Sequence, residues 1–474
     1  MSTIFDNTNN KIKCQKFTPA YLAETMLDIV GYTRRVHGKK ILENSFGSGN
    51  ILSIVVRRYI EDSIDAGLTP EVISDNLSKD IYGIELDKDL YIQCMGRLDR
   101  IASEYNIPSV HWSLFNENAL TWDTTLCFDY IVGNPPYINY KDIDEDSKKY
   151  LKKNFSSCSS GKFDYCYAFI ERALSLLSPS GKLVQLVPAN IYKNVFGENL
   201  RNLLKPHICV INEYPEQTLF DDTLTSSTIF MYDKTCTSLG IKYNNLTTGY
   251  STNIPRQLLT GKWVFQDPTI SKKNTLRFGD CFHASIVVAT LLNQAFILKK
   301  EELDKKAIEK AIVRKAAAPR QLRKKVEEYI VFPYYYSENG LAHYTEEAFT
   351  QRFPNAARHL NDSRQDLDSR DNDKNAQWFE YGRSQALAHL NQPKLLLSTV
   401  ITNSVEAYLL DADTVPYSGI FITVKNEAYT LEDAKHILQS PDFLSYVKSL
   451  GISVSGKSKR ITCKDINNYK FVKE

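Results

Sequence analysis

The sequence lacks any long apolar run. No segment of its 474 residues approaches the roughly 18 uninterrupted apolar residues that a membrane-spanning helix needs. The segment from Met1 to Gln15 is polar and contains no apolar core, so we do not expect a signal peptide. These two absences argue against a membrane protein and a secreted protein, and they predict a cytoplasmic one.

Clustered cysteines and a strong net charge are also missing. The nine cysteines form no Cys-x-x-Cys pair, and no Cys/His cluster has the spacing of a zinc site. We interpret them as reduced cytosolic thiols and expect no metal. The formal net charge of +2 implies no nucleic-acid partner by itself, so such a partner would have to be bound by local basic patches.

What is present is an ordinary globular composition, with 43% hydrophobic and 24% charged residues, in which strand and helix patterns alternate through the first half. Strands are predicted at residues 40–42, 80–85, 128–133, 181–187 (after a turn at 178–181) and 227–232. Helical apolar spacing occurs at residues 20–30, 51–66 and 165–177. This alternation predicts an α/β fold, with a mainly parallel sheet covered by helices on both faces.

The composition changes between residues 233 and 275, where the sequence is polar and shows no clear helical pattern. We therefore predict a boundary in this stretch, with a first domain of residues 1–240 and a second, mixed α+β domain of residues 241–474. The predicted features of the second domain are a basic helical stretch at 299–330, an exposed acidic-polar loop at 361–375 and short strands at 394–400, 407–410 and 420–424.

The strongest chemical signal is Asn134-Pro135-Pro136-Tyr137, directly after the strand predicted at 128–133. In a doubly wound sheet such a loop borders the ligand crevice. The two prolines fix the backbone, so the Pro135 carbonyl and the Asn134 side-chain oxygen can act as neighbouring acceptors for an amino group. Two such bonds localise the lone pair of a poorly nucleophilic nitrogen, and Tyr137 offers a ring on which a flat base can stack. The alternative is a turn that merely ends a strand.

A second signal is the strand-to-helix turn of residues 41–50, Ile-Leu-Glu-Asn-Ser-Phe-Gly-Ser-Gly-Asn. Its glycines allow a ligand to approach closely, but the third glycine of a dinucleotide fingerprint is missing. S-adenosylmethionine fits better, because it has no pyrophosphate, and Glu43 would then face its methionine end.

Glu85 ends the next predicted strand and can accept hydrogen bonds from ribose hydroxyls. Asn118 is a candidate for the cofactor's adenine. Singly, each could be an ordinary surface or capping residue.

With these motifs in this order, the sequence resembles the gamma-class DNA adenine amino-methyltransferases of type II restriction–modification systems, of the TaqI methylase type. The resemblance is strongest over residues 14–235. Lys16-Phe17-Thr18-Pro19 is similar to the family's N-terminal motif, and residues 161–165, Gly-Lys-Phe-Asp-Tyr, to the segment that follows its catalytic loop. Residues 187–190, Val-Pro-Ala-Asn, followed by Phe196, look like its strand and base-stacking aromatic. Phe196 stands one position away from the family pattern, and Asn118 stands where the family usually has Asp.

The resemblance implies a Rossmann-like methyltransferase domain that binds S-adenosylmethionine, followed by a DNA target-recognition domain. The target adenine would be flipped out of the duplex and methylated directly on its exocyclic amino nitrogen, without a metal. The implied site residues are Asn134, Pro135, Pro136 and Tyr137 for catalysis, Tyr137 and Phe196 for stacking on the base, and Thr18, Glu43, Ser45, Gly47, Gly49, Glu85 and Asn118 for the cofactor. A monomer acting on double-stranded DNA in a bacterial or archaeal nucleoid, with a cognate restriction endonuclease in the same system, is also implied.

Basic residues of the second half are weaker candidates for DNA contact. They are Lys315, Arg320 and Arg323 in a basic stretch, Arg383 after an aromatic run, and Lys457 and Lys459 in a polar basic loop. Such residues could bind phosphates, which dominate affinity for nucleic acids, or read bases. A solvated helix face and an aromatic core with a surface arginine are the alternative interpretations.

Two other functions remain open. Protein-glutamine and RNA amino-methyltransferases share the Asn-Pro-Pro-Tyr motif, but they usually lack a second domain of this size. A DNA-binding specificity subunit with an inactive methylase fold is a third possibility, although the intact motif argues against it. We expect no fused endonuclease activity, since only about 14 residues precede the first cofactor motif.

Overall fold

The computed structural model describes residues 18–214, 227–265, 275–338, 340–455 and 457–472. Lys16 and Phe17 of the N-terminal motif lie outside the described residues. The chain divides into two compact units, residues 1–270 and 271–474. Residues 241–270, which the sequence pattern places in the second domain, therefore fall in the first unit, and residues 241–255 continue its sheet.

The first unit alternates helices and strands. Its helices are α1 (Ala20–Val30), α2 (Asn50–Asp65), α3 (Pro70–Asp80), α4 (Lys88–Glu104), α5 (Glu145–Asn154), α6 (Cys166–Leu176) and α7 (Glu198–Leu204). Its strands are β1 (Ile41–Glu43), β2 (Ile81–Ile84), β3 (Ser113–Phe115), β4 (Phe128–Gly133), β5 (Leu177–Pro188), β6 (Ile208–Tyr214), β7 (Ser227–Asp233), β8 (Gly240–Asn245) and β9 (Tyr250–Pro255). The predicted turn at 178–181 is instead part of β5, where the pairing with β4 shifts register.

The nine strands form one sheet in the order β3-β2-β1-β4-β5-β7-β6-β8-β9. Strands β1 to β5 are mutually parallel, whereas β7 is antiparallel to both of its neighbours. After β1 the chain builds β2 and β3 on one side, and it then returns to place β4 on the other side of β1. The topological switch point, where ligands bind in such sheets, therefore lies at the carboxyl ends of β1 and β4.

Both faces of the sheet are buried, because successive strand residues point to opposite faces. Ile131 and Leu183 pack on one face with residues of α6, whereas Val132 and Val184 pack on the other face with residues of α1, α2 and α4. The predicted α/β class, with helices on both faces of a mainly parallel sheet, is confirmed.

The second unit consists of short elements. Its helices are α8 (Phe278–Cys281), α9 (Asn293–Phe296), α10 (Lys300–Lys306), α11 (Pro319–Arg323), α12 (Glu346–Arg352), α13 (Pro354–Asn361), α14 (Arg364–Asp368), α15 (Leu431–Gln439), α16 (Pro441–Leu450) and α17 (Cys463–Asn468). Its strands are β10 (Thr275–Arg277), β11 (Phe282–Ile286), β12 (Ile297–Leu298), β13 (Val313–Ala317), β14 (Glu328–Val331), β15 (Tyr334–Ser337), β16 (Gly340–His343), β17 (Lys394–Leu397), β18 (Val400–Ile401), β19 (Ala407–Leu410), β20 (Val415–Pro416), β21 (Ile420–Val424), β22 (Ile452–Ser455), β23 (Ser458–Arg460) and β24 (Lys470–Val472).

Two predictions for this unit are wrong. The basic stretch at 299–330 is not one helix, since it contains α10, β13, α11 and the start of β14. The acidic stretch at 361–375 is not simply a loop, since α14 lies within it and buries Leu367. Long basic and acidic side chains tolerate many backbone conformations, so charge alone did not identify the local structure. Within the described residues, no helix combines the length and apolarity that crossing a membrane requires.

Candidate active site

The Asn134 turn begins directly after β4, at the switch point of the sheet. The Asn134 side-chain nitrogen donates a hydrogen bond to the Thr18 hydroxyl at 3.2 Å. The Ser45 hydroxyl, in the loop after β1, donates to the Asn134 carbonyl at 3.4 Å. Three residues predicted from separate motifs therefore meet at the carboxyl end of β4.

The Tyr137 hydroxyl lies between two acceptors. It is within hydrogen-bond distance of the Asn134 side-chain oxygen and lies 2.8 Å from the Leu186 carbonyl on β5. Burial raises the pKa of Tyr137 well above its usual value, so the hydroxyl keeps its single proton at neutral pH. It can donate to only one acceptor at a time. When it donates to Leu186, it no longer donates to the Asn134 oxygen, which can then accept from a bound amino group.

The glycine loop and the acid after β2 are joined directly. The backbone N–H of Gly47 donates to one oxygen of Glu85 at 2.8 Å, and the other oxygen accepts from the backbone of Asp87 at 2.8 Å. Gly49, with a φ of 79°, caps α2, and a Cβ there would lie 2.3 Å from the Cys94 sulfur on α4. The loop can thus lie close against α4 only because residue 49 has no side chain.

Glu43 is placed beneath the loop. It is 2% exposed, and its carboxylate accepts from the backbone of Leu52 in the first turn of α2 at 3.1 Å. Burial raises the pKa of Glu43 well above its usual value, and the nearby Glu85 adds to the effect. Contact between Glu43 and the methionine end of a cofactor stays a prediction.

Two asparagines extend this edge of the sheet. The side-chain oxygen of Asn118 accepts from the backbone of Leu120 at 2.9 Å, so in this structure it closes a local turn. Asn116, which the sequence interpretation missed, donates to the Glu85 carbonyl at 2.8 Å and to the Leu86 carbonyl at 3.1 Å. It fixes the loop after β3 against the loop after β2. The only available signal was a second Asn two positions before Asn118.

The segment of residues 161–165 lies next to the catalytic turn. The backbone N–H of Tyr165 donates to the carbonyl of Ile138, which follows Tyr137, at 3.0 Å. Asp164, which the sequence pattern identifies only as part of the 161–165 motif, accepts from the backbone N–H of Cys166 at the start of α6 at 3.1 Å. Burial raises the pKa of Asp164 to about 6. Residues 161–165 are therefore hydrogen-bonded to the chain directly after the Asn134 turn.

Phe196 occupies an exposed position above this segment. Its side chain is 42% exposed. A Cβ built on Gly161, whose φ is 73°, would lie 2.0 Å from the Phe196 ring, so the ring rests directly on that glycine. Tyr192, the alternative stacking residue in the same loop, is fully buried and stacked on Trp263 at 5.7 Å. Phe196 is thus the aromatic of this loop that a flat ligand can reach.

Two buried amides lie on the strands that flank β4. Gln185 on β5 is fully buried, and neither its amide nitrogen nor its oxygen has a partner among the described residues. Asn44, directly after β1, donates to the Phe169 carbonyl at 3.4 Å. Its side-chain oxygen has no hydrogen-bond partner among the described residues. The signal for Gln185 was a polar residue inside an apolar strand, but the sequence interpretation did not use it.

Part of the chain is similar to a described protein family. Residues 71–220, which contain Glu85, Asn118 and the Asn134 turn, match the family described as the Eco57I restriction-modification methylase. The match covers about a third of the chain, and it is this segment that is similar to the family.

Curated relatives of this methylase segment are restriction–modification enzymes. The chain is 31% identical over 201 residues to the type II methyltransferase M.BstVI of Geobacillus stearothermophilus, which is 40% of this chain and 36% of that protein. It is 28% identical over 209 residues to the modification methylase CviBIII of Paramecium bursaria Chlorella virus NC1A, which is 43% of this chain and 46% of that protein. The chain therefore spans less than half the length of either relative.

Solved structures extend the likeness in fold beyond the methylase segment. The type IIL restriction-modification enzyme MmeI, solved in complex with DNA, matches 95% of this chain and 64% of its own, with a TM-score of 0.61 at 13% identity. The DrdV–DNA complex matches 91% of this chain and 53% of its own, with a TM-score of 0.54 at 10% identity. At these identities the likeness concerns the fold alone.

The candidate DNA-contacting residues lie outside the methylase segment, in the second unit. Lys315, Arg320 and Lys457 are exposed. Arg323 pairs with Glu406 at 3.6 Å. The Arg383 guanidinium is held between Asp371 at 2.6 Å and Asp373 at 3.3 Å, so it is already neutralised within the protein. Lys459 lies on β23, where its backbone stands opposite Ile401 of β18 and Ser453 of β22 in the antiparallel sheet.

The aromatic run before Arg383 supplies core residues. Phe379 and Tyr381 are buried, and the buried Glu380 pairs with His343 at 2.6 Å. The interpretation as an aromatic core is therefore correct for this run. Among the described residues, no group of three or more His, Cys, Asp or Glu side chains could hold a metal ion.

Proposed function

We propose that this protein transfers a methyl group from S-adenosylmethionine to the exocyclic amino nitrogen of adenine within a specific double-stranded DNA sequence. One observation carries the proposal: Asn134-Pro135-Pro136-Tyr137 follows β4 at the switch point of the sheet, and Asn134 contacts Thr18 of the predicted cofactor motif. The match of residues 71–220 to a restriction-modification methylase family supports methyl transfer. The DNA substrate, the adenine target and the cognate endonuclease belong to the proposal.

The residues present fit the cofactor. Glu85 uses each carboxylate oxygen for one backbone N–H, and the lone pairs that remain can accept from two ribose hydroxyls. Gly47, with a φ of 55°, brings the backbone of the loop close to the same carboxylate. S-adenosylmethionine would supply an electrophilic methyl group, and Thr18, Ser45 and Glu85 would hold it beside Asn134.

The chain's own contribution is mainly positioning. The Asn134 oxygen and the Pro135 carbonyl would accept the two protons of the target amino group, which concentrates the lone pair on nitrogen in line with the methyl group. The Tyr137 hydroxyl, by donating to Leu186, would release the Asn134 oxygen for this task and fix its own ring. Because the amino group cannot reach this turn from within a duplex, the base must be flipped out, and Tyr137 and Phe196 would stack on it.

The test is methylation of nucleic acid by the purified full-length chain. Genomic DNA from a strain that lacks adenine methylation would be incubated with the protein and labelled cofactor, then digested to nucleosides and analysed by mass spectrometry. We expect N6-methyladenine, and we expect the variant Asn134→Ala to bind the cofactor normally but to methylate at less than a hundredth of the wild-type rate, since it removes one of two acceptors for the amino group.

Parallel reactions separate the alternatives. Label in N4-methylcytosine would overturn the adenine assignment, and label in RNA or in protein glutamine would overturn the DNA assignment. Label in none of these, from protein that binds the cofactor, would support an inactive specificity subunit.

A further inference from the structure

A buried arginine outside the catalytic motif holds the loop that carries Phe196. Arg201 on α7 is 2% exposed. Its Nη1 donates to the carbonyls of Ile191 and Asn194, both at 2.8 Å, and its Nε donates to the carbonyl of Gly261 at 2.7 Å. We call residues 189–197 the stacking loop. Arg201 therefore bonds to two points of the stacking loop and to one point of a distant segment.

Burying a guanidinium at this position lowers the stability of the fold more than an apolar side chain would. Its acceptors are three backbone carbonyls, and within the described residues it forms no ion pair with a carboxylate. Burying a charge without an opposite charge is unfavourable, whereas an apolar side chain would fill the space without that cost. What the guanidinium adds is a planar fork of donors that fixes several segments at once.

One of these bonds leads directly to Phe196. The Asn194 side chain accepts from the backbone N–H of Phe196 at 3.2 Å, while the Asn194 carbonyl is held by Arg201. The Phe196 ring in turn rests on Gly161. The position of the exposed ring is thus determined by the hydrogen bonds of Asn194 and by the contact of the ring with Gly161.

The third bond connects the stacking loop to residues 259–265, which we call the clasp. The backbone N–H of Trp263 donates to the Tyr192 carbonyl at 2.9 Å, and the two rings are stacked 11° from parallel. Trp263 is 1% exposed. The clasp follows β9 and is the last described part of the first unit before the chain enters the second.

We propose that Arg201 is a positioning residue for the target base, which holds Phe196 where the flipped base stacks and ties the stacking loop to the clasp. This inference rests on the proposed function. It concerns capture of the extruded base, so losing Arg201 should impair a step that precedes methyl transfer and should leave cofactor binding intact.

The test compares two DNA duplexes that differ only opposite the target adenine, one with thymine and one with an abasic site. The abasic site lowers the cost of extruding the base. We expect Arg201→Met to methylate the normal duplex about tenfold more slowly, comparable with the loss of one stacking contact. Most of that loss should be recovered on the abasic duplex. Phe196→Ala should behave likewise, whereas Asn134→Ala should gain nothing.

Arg256→Met is the matched control. Arg256 also donates to backbone carbonyls, those of Ile208 and Ser238, but it does not bond to the stacking loop. Both arginine variants should lose some thermal stability, and only Arg201→Met should show the recovery. Equal rates and equal duplex ratios for the two variants would overturn the inference.

Two further measurements keep the outcomes separate. If wild-type protein methylates no DNA, the proposed function fails, and the role of Arg201 fails with it. If Arg201→Met does not fold, Arg201→Lys and Asn194→Ala take its place, since each removes only part of the anchor. Cofactor affinity, measured by calorimetry, should stay within about twofold of wild type in all folded variants, a difference well below one hydrogen bond. A larger loss would assign Arg201 to general stability.

Discussion

Thr18 and Asn134 are 116 positions apart, yet their side chains are hydrogen-bonded. This contact orients the catalytic amide, because an Asn side chain that donates through its nitrogen must direct its oxygen elsewhere. Here the oxygen is directed toward the Tyr137 hydroxyl. At the scale of single residues, the predicted cofactor motif and the proposed catalytic motif are thus joined by a hydrogen bond.

Glu85 should determine cofactor affinity. Replacing it by Ala removes an acceptor for the ribose hydroxyls and releases the Gly47 N–H. A hydrogen bond to a charged group contributes about 1.5–3 kcal/mol, so Glu85→Ala should raise the dissociation constant for S-adenosylmethionine by roughly ten- to a hundredfold. Calorimetry on folded protein measures this. The surface variant Glu104→Ala should have no effect, and an unchanged constant for Glu85→Ala would remove it from the cofactor site.

Glu43 should give the apoprotein a recognisable pH dependence. Burial raises its pKa in the folded state, whereas in the unfolded chain the pKa is about 4.3. The folded state therefore binds more protons above that pH, and the free energy of unfolding falls as pH rises until the folded-state pKa is passed. Glu43→Gln lacks this titration, so its stability relative to wild type should increase from pH 5 to pH 8.

Urea unfolding at several pH values would measure this difference. The mutant also loses the carboxylate that accepts from the Leu52 N–H. The stability difference between mutant and wild type at each pH is therefore compared with the difference at pH 5. A difference that stays constant with pH would show that Glu43 is ionised in both states.

At the scale of elements, the packing of the β1–α2 loop against α4 depends on Gly49. Gly49→Ala places a Cβ 2.3 Å from the Cys94 sulfur and puts alanine at a φ of 79°. The left-handed backbone costs about 1–2 kcal/mol and overpacking about 1–3 kcal/mol, so we expect a loss of about 2–5 kcal/mol in the free energy of unfolding.

A double-mutant cycle divides this loss. Combining Gly49→Ala with Cys94→Ala should recover the steric part and leave the backbone part. Gly96→Ala on the same helix is the control, since its Cβ would have no neighbour within 4 Å and it should stabilise α4 by about 0.5–1 kcal/mol. Additive effects of the first two substitutions would show that the clash is relieved elsewhere.

The elements also show what sequence reasoning could and could not predict. The helix at 20–30 and the strand at 128–133 have their predicted bounds, because a strict apolar period and clear flanking turns define them. The residues of the candidate site were found wherever a motif carried them, as at Asn134 and Glu85. Arg201 was missed because its role depends on long-range contacts that no local pattern encodes. Gln185 was missed although its local signal, a polar residue inside an apolar strand, was present.

The division between the units lies within the predicted stretch of residues 233–275, but at residue 270 and not at the bound of 240 that the polar sequence favours. Residues 240–255 are polar and carry no buried run, which is typical of a linker. They nevertheless form β8 and β9 at the edge of the large sheet, where one face and one edge can remain in water. An edge strand needs few apolar residues, so its sequence is hard to distinguish from a loop.

At the scale of the whole molecule, two units with separate cores should unfold separately. The clusters around Leu42 and Ile41 contain only residues of the first unit, and those around Val288 and Phe278 only residues of the second. We expect two calorimetric transitions. S-adenosylhomocysteine, the product form of the cofactor, at 100 times its dissociation constant should stabilise one of them by about 2.7 kcal/mol and leave the other unchanged. A single transition that shifts as a whole would show that the units unfold together.

The clasp has a consequence for exchanging the second unit, the predicted target-recognition domain, between related chains. A chimera joined at residue 240 would take β8, β9 and the clasp from the donor protein, so Arg201 would lose the Gly261 carbonyl and Tyr192 would lose Trp263. A junction placed after Phe265 would keep both contacts native. If the proposed function holds, a chimera joined some 25 residues beyond residue 240 should therefore keep more activity than one joined at residue 240.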